Sequence, residues 1–125
     1  MKIRIKGNTI RIRLTKTEVN YFAIEGYLQE KTDFGKNSFV YALKSTGTGE
    51  NLFAEFSDGT MTMFIPLNLA NEWTETEMVG YHNEMETGDG KKLFLLLEKD
   101  YKCLDTVSED QSDQYENPLV KRSRQ

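Results

Sequence analysis

From residue 2 the chain alternates between cationic and aliphatic residues. Ile3 and Ile5 lie between Lys2, Arg4 and Lys6. After Gly7-Asn8 the alternation resumes, with Ile10, Ile12 and Leu14 separated by Arg11 and Arg13. A period of two puts the aliphatic residues on one face of a strand and the cations on the other. Gly7-Asn8 suits a tight primed turn, so residues 2–14 predict a hairpin. The period then changes. Thr15 stands three residues before Glu18, the spacing of a capping box. Val19, Phe22 and Ala23 fall on one face at helical spacing, and Gly26 supplies a stop. This predicts a short helix over 16–25.

Strand patterns return after Gly26. Residues 27–34 and 37–45 flank a turn at Gly35-Lys36, and residues 51–57 and 60–65 flank Asp58-Gly59, a strong hairpin dipeptide. "PLNLANEW" predicts a second helix with Pro66 at its first helical position. Residues 77–85 and 91–101 close the series around "ETGDG". The order strand-strand-helix-strand-strand occurs twice. A shift of 51 residues carries Ile10 to Met61, Leu14 to Ile65 and Phe22 to Trp73. The expected fold is therefore α+β, mainly β: a small pseudo-duplicated β-barrel of about eight strands with two short helices. Phe22, Tyr41, Phe53, Trp73 and Phe94 sit at positions expected to form its core.

A length of 125 residues with 38% hydrophobic content suits one domain with a modest core. The formal net charge of -4 argues against a protein that coats nucleic acid over its whole surface. The charge is unevenly spread. The first sixteen residues hold six cations (Lys2, Arg4, Lys6, Arg11, Arg13 and Lys16) and no acid. After Leu104 come Asp105, Glu109, Asp110, Asp113 and Glu116 with few apolar residues, and then Lys121, Arg122 and Arg124. Such a stretch cannot offset its ordering entropy by burial. The expected division is a domain over 1–104 and an acidic, then basic, tail over 105–125. A single cysteine, Cys103, excludes an intrachain disulfide and fits a reducing compartment. There is no apolar run of signal-peptide or membrane-spanning type. A cytoplasmic protein without a membrane partner is expected.

The opening "KIRIKGNTIRIRLTKTEVNYFAIEG" resembles the swapped-hairpin DNA-binding domains of transition-state regulators and addiction antitoxins. Arg13-Leu14-Thr15-Lys16 is similar to the strand end of that superfamily, with Thr15 in place of its proline. "TMTMFIPLNLANEW" is similar to the same pattern a second time and has the proline, Pro66. In that superfamily two identical chains each give half of a barrel, so the resemblance implies both halves fused in one chain. It covers roughly residues 1–99. The chain as a whole, with "KDYKCLD" and "EDQSDQYENP", also resembles a family of small bacterial proteins of unknown function, which implies no activity.

The cationic face of the first hairpin is the main candidate site. Lys2, Arg4, Lys6, Arg11 and Arg13, with Lys16 nearby, are candidates for binding nucleic acid or another anion. Like charges opposite one another destabilise a sheet, so carboxylates from elsewhere or an anionic partner must answer them. The matching hairpin carries Glu55, Ser57, Thr60 and Thr62 instead, which counts against DNA. Asp105, Glu109, Asp110, Asp113 and Glu116 form a candidate partner-binding tail. Their spacing fits no calcium loop. Antitoxins of the resembled type often use an acidic C-terminal tail to bind a toxin, so the resemblance implies a partner-binding role for this segment. Cys103 and His82 alone supply too few ligands for a metal site, and Cys103 reads as a small buried hydrophobe. No cofactor and no enzymatic activity are expected. The expected function is a binding module that contacts another protein through its basic hairpin or acidic tail. The alternative is a DNA-binding regulator or antitoxin-like protein. The oligomeric state is left open, a monomer being compatible.

Overall fold

The computed structural model describes residues 1–101 of the chain. Ten elements follow in order: β1 (Lys2–Lys6), β2 (Thr9–Leu14), α1 (Lys16–Glu25), β3 (Tyr27–Asp33), β4 (Ser38–Thr46), β5 (Phe53–Ser57), β6 (Thr60–Pro66), α2 (Leu67–Glu75), β7 (Gly80–Gly88) and β8 (Lys91–Lys99). The fold is mainly β with two short helices. The predicted tail, 105–125, lies outside the described residues.

Turn chemistry sets the hairpins. At Gly7-Asn8 the positive φ falls on Gly7 alone, at 53°, where a II′ turn needs it. At Asp58-Gly59 both residues are left-handed, at 52° and 75°, as a I′ turn requires. Gly59 is also needed for space: a Cβ there would stand 2.9 Å from the Ser38 carbonyl oxygen. The first helix begins as its sequence predicts. Thr15 Oγ1 accepts from the Glu18 amide at 3.3 Å, and Glu18 accepts from the Thr15 amide at 2.9 Å. Gly26 ends the helix in the left-handed region, its N–H donating to the Phe22 carbonyl.

The strands form two four-stranded sheets. Sheet I has the order β1-β2-β8-β7 and sheet II the order β3-β4-β6-β5. The central contacts, β2 with β8 and β4 with β6, are parallel; the others are antiparallel. Each sheet thus joins a hairpin from the first part of the chain to one from the second. The apolar faces meet between the sheets. Ile12 and Leu97, register partners across β2–β8, are fully buried, as are Leu43 and Met63 across β4–β6. The helices cover one end of this core. Phe22 from α1 meets Trp73 from α2 edge to face, with ring centroids 6.3 Å apart. The Trp73 indole N–H donates to the Val79 carbonyl at 2.9 Å, which satisfies its one polar atom.

Three expectations are corrected. No closed barrel is found among the described residues. Side chains, not a strand ladder, bridge the sheet margins: the Tyr41 hydroxyl donates to the Met1 carbonyl at 3.0 Å, and Asn83 Nδ2 donates to the Leu52 carbonyl at 2.7 Å. The Ala54 amide donates to the Met85 sulfur at 3.4 Å, where a closed barrel would offer a carbonyl. Pro66 is the last residue of β6 and the N-cap of α2, not its first helical residue, because its ψ of 143° keeps it extended. Phe53 and Phe94 are not core residues. They are 37% and 40% exposed because each lies one position out of phase with a buried neighbour, Ala54 or Leu95. Phe53 stacks on Phe64 outside sheet II with centroids 4.7 Å apart. Tyr41 is half-buried. No described helix is long and apolar enough to cross a membrane.

The capping box predicts a measurable acid limb. Burial pushes the Glu18 carboxyl up, but hydrogen bonds from the Met1 ammonium and from Thr15 outweigh it and hold the pKa below the usual carboxylate value. A lowered folded-state pKa gives stability that is present above the unfolded-state pKa and lost as pH falls through the folded-state value. In urea titrations, Glu18→Gln should flatten the decline of stability below about pH 4.5. Thr15→Ala should cost about 1 kcal/mol at neutral pH.

Candidate functional site

The parity that buries Ile10 and Ile12 turns the cations outward. The β1–β2 register places Lys2 opposite Arg13, Arg4 opposite Arg11 and Lys6 opposite Thr9. The parallel β8 strand extends these rows with Glu98 beside Arg13, Leu96 beside Arg11 and Phe94 beside Thr9. On β7 the rows end at Gly80, His82 and Glu84. The outer face of sheet I is therefore cationic on β1 and β2 and mixed on β8 and β7, where Phe94, Leu96, Glu98, His82 and Glu84 are joined by Lys92 at the far corner. β7 can close on β8 at the first row because residue 80 is glycine: a Cβ there would come within 1.8 Å of the Leu97 carbonyl oxygen.

The cations are answered unevenly. Glu98 Oε1 lies 3.2 Å from Arg11 Nε and 3.5 Å from Arg13 Nε. That oxygen is shut off from solvent, yet neither guanidinium N–H is aligned to donate to it. The attraction is charge against charge, with one carboxylate serving two arginines. Lys2 Nζ lies 3.3 Å from the Asp100 carboxylate. At the opposite corner, Lys92 pairs with Glu84 at 3.4 Å. Among the described residues, no carboxylate oxygen lies within 4.0 Å of the Arg4 or Lys6 charge. Arg4 nevertheless stands directly opposite Arg11, a like-charge pairing that costs sheet stability. Two open hollows lie on this face. One of about 210 Å³ is lined by Arg4, Lys6, Thr9 and Arg11. The other, of about 200 Å³, is lined by Lys2, Ile3, Arg4, Arg11 and Arg13.

The structure brings five of the six basic candidates together. Lys16 is apart from them: it begins α1 and lines a groove of about 550 Å³ between the helices, with Val19, Thr74, Lys99 and Tyr101. The outer face of the β5–β6 hairpin presents Phe53, Glu55 and Ser57 opposite Phe64, Thr62 and Thr60, with no cation. His82 is exposed on the outer face of β7. Cys103 and the acidic candidates Asp105, Glu109, Asp110, Asp113 and Glu116 lie outside the described residues. Among the described residues, no group of three or more His, Cys, Asp or Glu is placed to hold a metal ion. Tyr81 has its hydroxyl pKa raised by burial and by its 2.7 Å hydrogen bond to the Glu72 carboxylate. The same hydroxyl lies 3.2 Å from the Leu69 carbonyl, sharing its one hydrogen between two acceptors on α2, so it ties β7 to that helix.

Sequence reasoning missed Glu98, Asp100 and Phe94 as members of this face. The alternation in "LFLLLEKD" marks Phe94, Leu96 and Glu98 as sharing one side of a strand. Nothing local says that the strand lies beside β2. Because Glu98 serves both Arg11 and Arg13, Glu98→Gln should lower stability by about 1 kcal/mol at low ionic strength. The difference should shrink in about 0.5 M salt as screening weakens the lost attraction. Chemical denaturation at the two salt concentrations measures this.

A family model described as a family of unknown function (DUF7009) matches residues 1–119. No curated protein matches the chain, and neither does any solved structure. The family match spans both sheets, both helices and all of the cationic face, and it continues through the acidic residues that follow Leu104. The chain belongs to this family of unknown function, DUF7009.

Proposed function

We propose that this chain is a non-enzymatic binding module whose cationic face on sheet I takes an acidic segment of a protein partner. The observation that carries the reading is the imbalance on that face. Five cations stand in adjacent rows, two carboxylates answer three of them, and Arg4 and Lys6 are matched by none among the described residues. A monomeric sheet would be more stable without Arg4 opposite Arg11, so the charge costs stability and an external anion would recover it. A protein fits better than a duplex for two reasons. The neighbouring rows present Phe94 and Leu96 beside the cations, and an exposed aromatic next to arginine is typical of the centre of a protein interface. The net charge of the whole chain is -4, so a long polyanion would be repelled away from this one face.

A second reading, a DNA-binding regulator, is favoured by the strand exchange. The register partners of β1–β2, advanced by 51 residues, become those of β5–β6: Lys2–Arg13 goes to Phe53–Phe64 and Arg4–Arg11 to Glu55–Thr62. That correspondence supports reading the chain as two fused halves of swapped-hairpin type. The second hairpins correspond less well, since β7–β8 has a bulge between Glu86 and Gly88 and β3–β4 has none. The same correspondence weakens the DNA reading, because it leaves one cationic hairpin where a pair of identical chains has two.

Binding of a labelled acidic peptide of about twelve residues and of a duplex of about 20 base pairs separates the readings. The peptide should bind, and its affinity should fall as salt rises from about 50 to about 200 mM. Arg4→Ser combined with Lys6→Ser should weaken it about tenfold, equivalent to about 1.4 kcal/mol. Thr62→Ser, on the opposite hairpin, should leave it unchanged. Steep salt-dependent duplex binding without peptide binding would favour the second reading. Absence of both at low salt would end the proposal.

A further inference from the structure

The chain leaves its described part at one corner of the cationic face. The Asp100 amide donates to the Leu14 carbonyl at 2.8 Å, at the end of β2, and the Asp100 carboxylate lies 3.3 Å from Lys2 Nζ. Tyr101, the last described residue, is exposed. The carboxylates next in sequence are Asp105, Glu109, Asp110, Asp113 and Glu116, and residues 105–118 contain no lysine or arginine. Five extended residues beyond Asp100 span roughly 17 Å. Lys2 to Lys6 is four residue-to-residue steps of strand, about 13 Å. The linking stretch is therefore long enough for Asp105 and the acids after it to reach Arg4, Arg11 and Lys6 from that corner.

Reach alone does not select this face; charge does. Arg4 and Lys6 have no carboxylate within 4.0 Å among the described residues, and Arg11 shares Glu98 with Arg13. The other face within reach of the same corner is the helix groove, where Lys16 and Lys99 are accompanied by Glu77 and Asp100. The family match extends through residue 119 and so includes the acidic segment with the face.

We propose that the acidic segment Asp105–Glu116 of this same chain docks on the cationic face, over Arg4, Lys6 and Arg11, and competes there with the acidic partner. The competition rests on the reading of that face as the partner site; the docking does not. A tethered segment acts at an effective concentration of about a millimolar. It excludes weakly charged competitors and yields to a partner of higher charge density. The affinity of a partner is reduced by the fraction of molecules in which the face is open.

The test compares the full chain with a full-length variant carrying Asp105→Asn, Glu109→Gln, Asp110→Asn, Asp113→Asn and Glu116→Gln. Zero-length carbodiimide coupling, read by mass spectrometry on the monomeric fraction, should join Lys2 or Lys6 to the 105–116 segment within one chain, and about 0.5 M salt should abolish the product. The five-fold variant should bind the acidic peptide about tenfold more tightly than the native chain. No crosslink together with equal peptide affinity in both forms overturns the docking and leaves the partner site standing. A crosslink with no peptide binding by either form keeps the docking and removes the partner site. Crosslinks that form only between chains, seen by mixing isotopically light and heavy protein, also overturn the proposal, because the occupant is then a second copy.

Discussion

No hairpin of this chain can bury its apolar side alone, and the fold follows from how that is solved. A two-stranded ribbon is marginal in water. Here each hairpin is completed by another, through the parallel contacts of β2 with β8, from opposite ends of the described chain, and of β4 with β6, from consecutive hairpins. Those four strands hold the fully buried Ile12, Leu14, Leu43, Met63, Ile65, Leu95 and Leu97. Neither sheet can be assembled from the residues before β5 alone. The helices depend on the same arrangement, since Phe22 and Trp73 meet only when both parts of the chain are in place.

The cationic face is a consequence of that core. Period-two geometry ties the two sides of a strand together, so burying Ile10 and Ile12 forces Arg11 and Arg13 outward. A slip of one residue would put arginines into the core, which fixes the position of the charges as firmly as that of the isoleucines. The partner strand then decides how much of the charge is neutralised. β8 offers one carboxylate, Glu98, and places Leu96 and Phe94 in the next two rows. Among the described residues, carboxylates therefore stand at one end of the face, where two of them serve three cations, and none lies within 4.0 Å of the charges at the other. That gradient gives the face a direction, from the paired corner at Lys2 towards Arg4 and Lys6, and it is the basis on which an anion site is proposed there.

Much of this was legible in the sequence, and the reasons are local. The alternation of residues 2–14, the dipeptides Gly7-Asn8 and Asp58-Gly59, and the Thr15–Glu18 spacing each act over a few residues. Each reappears in the structure as a hairpin, a primed turn or a cap. What was not legible depends on which strands meet. The pairing of Arg13 with Glu98 spans most of the chain, and no nearby residue announces it. The absence of barrel closure among the described residues depends on Tyr41, Asn83 and Met85 filling the margins with side chains. Phe53 and Phe94 lie outside the core because parity along the strand, not aromatic character, decides which way a side chain faces. Each adjoins a buried residue, so it must face the other way. Pro66 is compatible with both a strand end and a helix start, since its fixed φ suits either.

Native-state hydrogen exchange on the full chain tests the shared core most directly. If the two sheets are completed by exchanged hairpins around one set of buried side chains, the central amides of β2, β4, β6 and β8 should open together, with one free energy equal to that of global unfolding. The outer strands β1, β3, β5 and β7 should exchange at lower cost. If β2 and β8 lose protection at a clearly lower free energy while β4 and β6 stay protected, the sheets are independent units, and the account of one interdependent core is wrong.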